Sequence, residues 1–447
     1  MNSKNRHRVV IVGAGFGGLT AAQALASAPV QITLIDRKNH HTFQPLLYQV
    51  ATAGLSPGEI AAPIRSILSH QKNVEVLMAE VTKFDLERRV VKSSDQEIAY
   101  DSLIVAAGAS HAYFGHDEWE TSAPGLKTVE DAIEIRRRIL LAFELAERQA
   151  AAGESRGPLN FAVVGGGPTG VELAGTLAEI CRHALAQDFR TIDPRRARIH
   201  LIEGGPHVLP AYPEDLSRSA VEQLRRLGVE VLTSTMVTRV EPGVIYMGAT
   251  PLHADVILWA AGVAASPLGK KLGVTVDRAG RVPVGADLSI ADHPEVFVIG
   301  DLAAAKDTAG KMLPGVAQVA IQEGRFVARV IRREVEQGAK HAERPAFRYH
   351  DKGSLATIGR AAAVAQIGKF HISGYVAWLT WLFVHIFFLI GFRNRVLVFV
   401  QWAWSYFTYE RGARLITGST ELPGWDGSKP QPRGEASVEE SSAAVHK

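Results

Sequence analysis

The sequence predicts an α/β chain with two Rossmann-like dinucleotide-binding domains and a C-terminal membrane-associating segment. Three observations predict it. A β-branched run, a glycine turn and an Ala/Leu-rich helical pattern occur together twice, opening at Val9 and again at Phe161. A unit of that kind, repeated, builds doubly wound parallel sheets. After about His350 the character changes, and Tyr375 to Phe392 form the longest strongly apolar run. Finally, 447 residues exceed one ordinary core, so two or three domains are expected.

Composition narrows the function. The apolar fraction of 47 % and charged fraction of 21 % are those of a globular protein. The formal charge is only +3 and no Lys/Arg block recurs, so nucleic acid is not an expected partner. Cys181 is the only cysteine. It excludes an internal disulfide and, with it, chemistry that runs through a redox-active thiol pair. No metal site is expected. The N-terminal MNSKNRHRVVIVGAGFGG is basic and then apolar, like a signal peptide, but the apolar stretch is short and runs into glycines, so it reads as a first strand.

The first domain is expected over residues 1–120 and again over 256–350, split around the second at 121–255. Its strand VVIV runs into Gly13-Ala14-Gly15-Phe16-Gly17-Gly18. Gly13 permits the tight turn, Gly15 lets the backbone approach a pyrophosphate, and Gly18 lets the helix pack on the sheet. The helix N-terminus then aims free N–H groups and its positive dipole end at the phosphates. A second strand, QITLID, ends in Asp36, at the spacing where a carboxylate accepts hydrogen bonds from a ribose.

Between the two units, Thr128 to Ala150 has helical periodicity with charged outer positions, and Ala151 to Pro158 reads as a loop. FAVV then leads into Gly165-Gly166-Gly167-Pro168-Thr169-Gly170 and the helix VELAGTLAEI. Glu203, ending RIHLIEGG, takes the part of Asp36, after a longer intervening stretch than usual. A carboxylate there favours the free 2′-hydroxyl of NADH over the phosphate of NADPH by charge repulsion. Arg195, Arg196 and Arg198 lie upstream of that strand. VILWAAGV (256–263) and VFVIGD (296–301) are both expected to return to the first domain.

Two dinucleotide sites on one chain have a simple chemical reading. One holds a flavin permanently, the other exchanges a nicotinamide, and the rings stack about 3–3.5 Å apart for hydride transfer. The split domain encloses its ligand from both ends, so FAD is assigned to the first unit and NADH to the second. Asp301, just past a strand end, suits ribityl or phosphate oxygens, although an Asp there also forms turns and caps helices.

From these residues outward the chain resembles a bacterial type II NADH dehydrogenase, the single-subunit, non-proton-pumping NADH:quinone oxidoreductase. The resemblance runs from Val9 to about Gly418. The segment Asn39 to Leu68 is similar to the family's stretch beside the flavin. LIVAAG, ending in Gly108, and LWAAG, ending in Gly262, are similar to its strand–turn returns, and Gly300 stands with Asp301 in VFVIGD. AQVAIQEG (317–324) resembles the family's quinone-site pattern, which implies Gln318 and Gln322 near the flavin and the quinone head. GVELAG carries Glu172, whose counterpart is implicated in proton or charge handling. On spacing alone the two glutamines share a helix face, as an exposed polar face also would, and Glu172 also suits its helix N-terminus. The resemblance implies hydride transfer from NADH to FAD, then two-electron reduction of a membrane quinone, with no side-chain nucleophile. It does not separate ubiquinone from menaquinone, and it leaves a homodimer open.

Residues 351–422 are expected to meet a membrane. As one helix, Tyr375 to Phe392 would measure roughly 27 Å against a bilayer core of about 30 Å. His385 lies in its middle, and Arg393 and Arg395 follow. Then come Trp402, Trp404, Tyr406, Phe407 and Tyr409, with Arg411 and Arg414. Rings at headgroup level and cations near anionic lipid suit an interface. The expected mounting is peripheral and monotopic, on the lipid bilayer surface at the cytoplasmic face of the cell membrane. A single spanning helix, or a dimer interface or core, are the alternatives. Residues 423–447 are Pro/Ser/Glu-rich and read as a disordered tail. Two other functions share part of the pattern: a soluble flavoprotein reductase of an iron–sulfur carrier, which has no use for the aromatic section, and a non-catalytic flavin-binding regulatory protein. A sulfide:quinone oxidoreductase would need several reactive cysteines.

Overall fold

The computed structural model describes residues 6–154, 157–338, 341–408 and 412–425. Most of the expected tail, together with Tyr409 and Arg411, lies outside the described residues. β1 (His7–Val12) is buried from Val9 to Val12, as befits a parallel strand covered by helices on both faces. Gly13, at φ +100°, turns the chain directly into α1 (Phe16–Ala24). β2 (Val30–Asp36), α2 (Leu47–Ala51), β3 (Val74–Met78) and β4 (Ser102–Val105) follow. α3 (Val129–Ala151) opens on a capping box in which Thr128 and Asp131 satisfy each other's N–H groups. It leads to β5 (Asn160–Val164), α4 (Pro168–Glu179), β6 (Arg198–Ile202), β7 (Val229–Leu232) and β8 (Val256–Trp259). The chain returns through β9 (Ser289–Ile290), β10 (His293–Val298) and α5 (Ala317–Gln337). β11 (Ser354–Gly359), β12 (Ala362–Ile367) and β13 (Phe370–Ser373) then form an antiparallel sheet, followed by α6 (Tyr375–Phe388) and α7 (Phe392–Thr408).

The first sheet has the order β9-β10-β4-β1-β2-β3, parallel except for β9. Phe297 on β10 lies opposite Ile104 on β4, so one domain is assembled from both sides of the insertion. The second sheet, β7-β6-β5-β8, is parallel throughout. Here one expected boundary is corrected. Val256 to Trp259 pairs with β5, Leu258 opposite Val163, and so closes the second domain instead of returning to the first. The strand is apolar and fully buried in either placement, so its composition carries no information about which sheet receives it. The crossings between domains run together in a short antiparallel ribbon, Ala109–His111 against Val263–Ala265.

The apolar run after Tyr375 is not one helix. α6 stops at Phe388, Leu389 takes extended backbone, and Gly391 sits at φ +85°. The 14 residues of α6 measure roughly 21 Å, short of a bilayer core of about 30 Å. Among the described residues no helix is long and apolar enough to cross a membrane. The alternative of one spanning helix over Tyr375 to Phe392 is therefore corrected to a broken pair. α6 turns Ala377, Trp381 and Leu382 inward and leaves Phe383 and Phe387 65 % and 69 % exposed.

Candidate active site

Both glycine turns are shaped the same way. A Cβ at Gly13 would stand 2.4 Å from the Ala106 oxygen, and one at Gly18 would stand 1.9 Å from that of Gly13. In the second domain Gly165 and Gly170 are held as tightly, 2.5 Å from the Ala260 oxygen and 1.8 Å from that of Gly165. Gly15 and Gly167 differ. They are the N-caps of α1 and α4, a Cβ on either would meet nothing within 4 Å, and among the described residues no side chain caps either helix. Each helix thus presents uncapped first-turn N–H groups to open space beside a glycine, a cradle suited to a pyrophosphate.

The strand-end acids close the turns from behind. Asp36 Oδ2 accepts from the Ala14 amide at 2.7 Å and its Oδ1 from that of Lys38 at 2.8 Å. Glu203 Oε2 accepts from the Gly166 amide at 2.6 Å and its Oε1 from that of Gly205 at 2.6 Å. Each carboxylate oxygen keeps a lone pair for a sugar hydroxyl. Gly108 and Gly262 stand at the ribbon between the domains, where the Ser266 amide donates to the Gly108 oxygen and the Ala112 amide to the Gly262 oxygen.

The far side of the first cradle is the turn Gly300–Leu302, with Gly300 at φ +70°. Asp301 there faces Lys127 Nζ at 3.7 Å, a cation that the sequence reading missed. Gly300 donates to Glu323 of α5, a second missed residue, wholly buried. α5 approaches this closely because Gly324 packs on α1, where a Cβ would stand 2.3 Å from the Gly17 oxygen. The two glutamines of that helix fare differently. Gln322 grips the His350 backbone, Nε2 donating to its oxygen at 2.9 Å and Oε1 accepting from its amide at 3.0 Å. Gln318, half-buried in the first turn, has no hydrogen-bond partner among the described residues.

Glu172 lies in the second turn of α4. The residue is half-buried, and burial pushes its carboxyl pKa well above the carboxylate range, partly offset by the nearby Thr357 amide. Thr357 comes from β11, which lies on α4 because Gly175 has no side chain. A Cβ there would stand 1.6 Å from the Ile358 oxygen. Beside this hairpin is a cavity of about 100 Å³, walled on one side by Thr176 and Glu179 and on the other by Trp378, Trp381, Trp402 and Tyr406 of α6 and α7. The aromatic wall continues inward. Trp402 Nε1 donates to Gln49 of α2 at 2.7 Å, Trp381 stacks on His385 at 4.4 Å, and His385 meets Phe43 edge-on at 6.2 Å. Phe43 in turn meets Phe16, within the first glycine turn, at 5.9 Å. Rings therefore run unbroken from the first cradle to the C-terminal helices.

Comparison with known proteins agrees with this geometry. Residues 7–324 match the pyridine nucleotide-disulphide oxidoreductase family, and residues 351–409 match the NDH2 C-terminal domain. The type II NADH:quinone oxidoreductase NdhA of Mycobacterium tuberculosis is 48 % identical over 92 % of this chain and 90 % of its own length. The same organism's Ndh is 47 % identical with the same coverage. The chain belongs to the type II NADH:quinone oxidoreductases. A solved structure of NDH2 from Plasmodium falciparum in complex with NADH shares the fold, with a TM-score of 0.80 at 21 % identity over 93 % of this chain and all of that one.

The resemblance read from the sequence is borne out, as is the enzyme class, an FAD-dependent NADH:quinone oxidoreductase. The disulphide in the matched family's name has no counterpart here, since Cys181 is alone and buried. Lys127, Glu323 and Thr357 escaped the sequence reading for different reasons. Only the glycines at 175 and 324, each inside a helical pattern, hinted at the close approaches that bring the last two in.

Proposed function

We propose that this chain oxidises NADH and reduces a membrane quinone, with FAD resident in the first cradle. The duplicated cradle carries the reading: two uncapped helix N-termini, each beside an open glycine and each backed by a strand-end acid. The residues present fit a dinucleotide flavin, with the buried Glu323 carboxyl closing the far side behind Gly300. Bound there, FAD supplies the two-electron chemistry that links NADH to quinone.

The chain's own groups bind and orient. α1 and Gly15 take the FAD pyrophosphate, Asp36 its ribose, and Asp301 its ribityl or phosphate oxygens. α4 and Gly167 take the phosphates of NADH, and Glu203 takes its ribose hydroxyls. The quinone head enters along the aromatic wall of α6 and α7. Gln318 offers it a donor and an acceptor. Glu172, whose carboxyl holds its proton more tightly than a free carboxyl because of burial, offers it a proton. Gln322, whose amide holds His350, acts by positioning. The exposed apolar rings of α6 and α7 lie on the lipid surface at the cytoplasmic face, as a peripheral attachment.

Steady-state oxidation of NADH and of NADPH by membrane fractions, with short-chain quinones added, tests the reading. NADH with quinone should be turned over rapidly and NADPH poorly. Equal rates with the two nucleotides would remove Glu203's role, and reduction of an iron–sulfur carrier without quinone turnover would favour the soluble reductase instead.

A further inference from the structure

We infer that the ring of Phe114 covers the nicotinamide riboside half of NADH beside the end of β8 and so orients it. This rests on the second cradle being the NADH site.

Phe114 is held in a conformation that folding alone does not favour. The His116 amide donates to the Tyr113 oxygen at 3.1 Å, closing a tight turn with Phe114 and Gly115 at its centre. Both central residues take positive φ, +55° and +95°. Turns of that kind favour Asn followed by Gly, and a bulky Phe in the first place is strained. The ring gains little from burial in return, since it stays 70 % exposed. Strain of this sort collects at ligand clamps, where a bound partner gives the side chain its use.

Rigid neighbours fix where the ring sits. Tyr113 is buried, stacks on Trp259 at 5.4 Å and donates from its hydroxyl to the Ala123 oxygen at 2.9 Å. Trp259 Nε1 donates to the Ala112 oxygen at 2.9 Å, and the Ala112 amide donates to the Gly262 oxygen at 3.2 Å. The Phe114 ring lies against Gly262, where a Cβ would stand 2.8 Å from its Cζ, and meets Trp259 edge-on at 6.4 Å. It is thus backed by the second domain while most of its surface stays free.

The sheet order decides which part of the ligand arrives there. β5 and its glycine turn lead to the pyrophosphate, and Glu203, after β6, takes the adenosine ribose. β8 flanks β5 on the other side, in the order β7-β6-β5-β8. A dinucleotide extended across the cradle therefore lays its second half over the end of β8, where Gly262 and Phe114 stand. The same strand end runs into the ribbon that joins the first domain, so this half is the one directed toward the flavin. Nicotinamide offers a flat face, which an aromatic ring recognises by stacking. Gly262 has no side chain to compete for the space.

Phe114→Asn supplies the residue that this turn favours and removes the ring. In the FAD-loaded enzyme it should melt at or above the wild-type temperature, yet bind NAD⁺ about tenfold more weakly. AMP, which carries only the half held by Glu203, should bind with unchanged affinity. Phe114→Tyr keeps a ring and should bind NAD⁺ as wild type does. Equilibrium titrations with NAD⁺ and AMP read these affinities without turnover. Wild-type NAD⁺ affinity in Phe114→Asn would overturn the clamp. A lower melting temperature with NAD⁺ and AMP weakened equally would overturn it too, because it marks a structural defect. Gly167→Val tests the reading beneath, since its side chain enters the open space at the second cradle, and it should lose both ligands. If it binds both as wild type does, the second cradle is not the nucleotide site and the clamp falls with it. That result is distinguishable from failure of Phe114 alone.

Discussion

The amide of Gly300 donates to Glu323 Oε2 at 2.5 Å, while Glu323 Oε1, also buried, has no partner among the described residues. A charged carboxylate there would lack compensation for its lost hydration. Burial, with Asp301 nearby, raises the Glu323 pKa to about 8, so the side chain is neutral at neutral pH. The raised value means that the folded chain binds this proton more tightly than the unfolded chain does. The stabilisation is therefore complete below the unfolded value of about 4.5 and is lost as pH rises through about 8. Glu323→Gln keeps an acceptor for Gly300 and removes the titration. Relative to wild type, the variant should gain about 2–4 kcal/mol of stability between pH 5 and pH 9. Denaturant melts at the two pH values measure the gain, and a pH-independent difference would refute the neutral Glu323.

Glu203 is asked to do two things, to hold the Gly166 and Gly205 amides and to repel a 2′-phosphate. Glu203→Gln separates them. Loss of the negative charge should narrow the preference for NADH over NADPH in kcat/KM by about tenfold or more, equivalent to at least ~1.4 kcal/mol. The weakened grip on Gly166 should raise KM for both nucleotides together. A higher KM with an unchanged preference would mean that the acid serves the loop alone.

The parts of this site that are legible in the sequence are those whose geometry is local. A glycine turn and a strand-end acid are joined by one strand and one helix, so Asp36 and Glu203 carry their positions in their spacing. What comes from elsewhere is illegible for a physical reason. Thr357 reaches Glu172 only because Gly175 admits the Ile358 backbone, and Glu323 is buried only because Gly324 admits that of Gly17. Both are long-range consequences of a missing side chain. The strand at Val256 to Trp259 reads the same in either sheet because it is buried in both. Gly391 marks the break between α6 and α7, but the apolar residues around it hide the signal.

Gly324 also gives a packing prediction. A Cβ there would stand 2.3 Å from the Gly17 oxygen, a backbone atom that cannot swing aside, so α1 and α5 would have to separate. Gly324→Ala should cost about 1–3 kcal/mol and loosen FAD, read as flavin released on dialysis. Gly58→Ala is the matched control, since its Cβ would meet nothing within 4 Å. If the two variants melt together, the close crossing of α1 and α5 is not what sets the first cradle.

The last prediction concerns the surface of α6 and α7. Phe383 and Phe387 are one helical turn apart and largely exposed, and Val400, Trp404 and Phe407 of α7 are exposed as well. Meanwhile α6 commits Trp381 and His385 inward, where His385 stacks on Trp381 and burial pushes it down to about 4, so it adds no charge near neutral pH. Moving one Phe from water into the acyl boundary gains about 1.5–3 kcal/mol, so replacing both with charge should weaken vesicle binding about a hundredfold or more. The double variant Phe383→Glu, Phe387→Glu should stay in the supernatant on sedimentation with anionic vesicles. It should still oxidise NADH with a water-soluble quinone, and it should lose activity toward a long-chain quinone dissolved in those vesicles. The inward rings are untouched by these substitutions, so loss of both activities would point to damage at the cavity. Unchanged sedimentation would mean that another face of the protein meets the lipid.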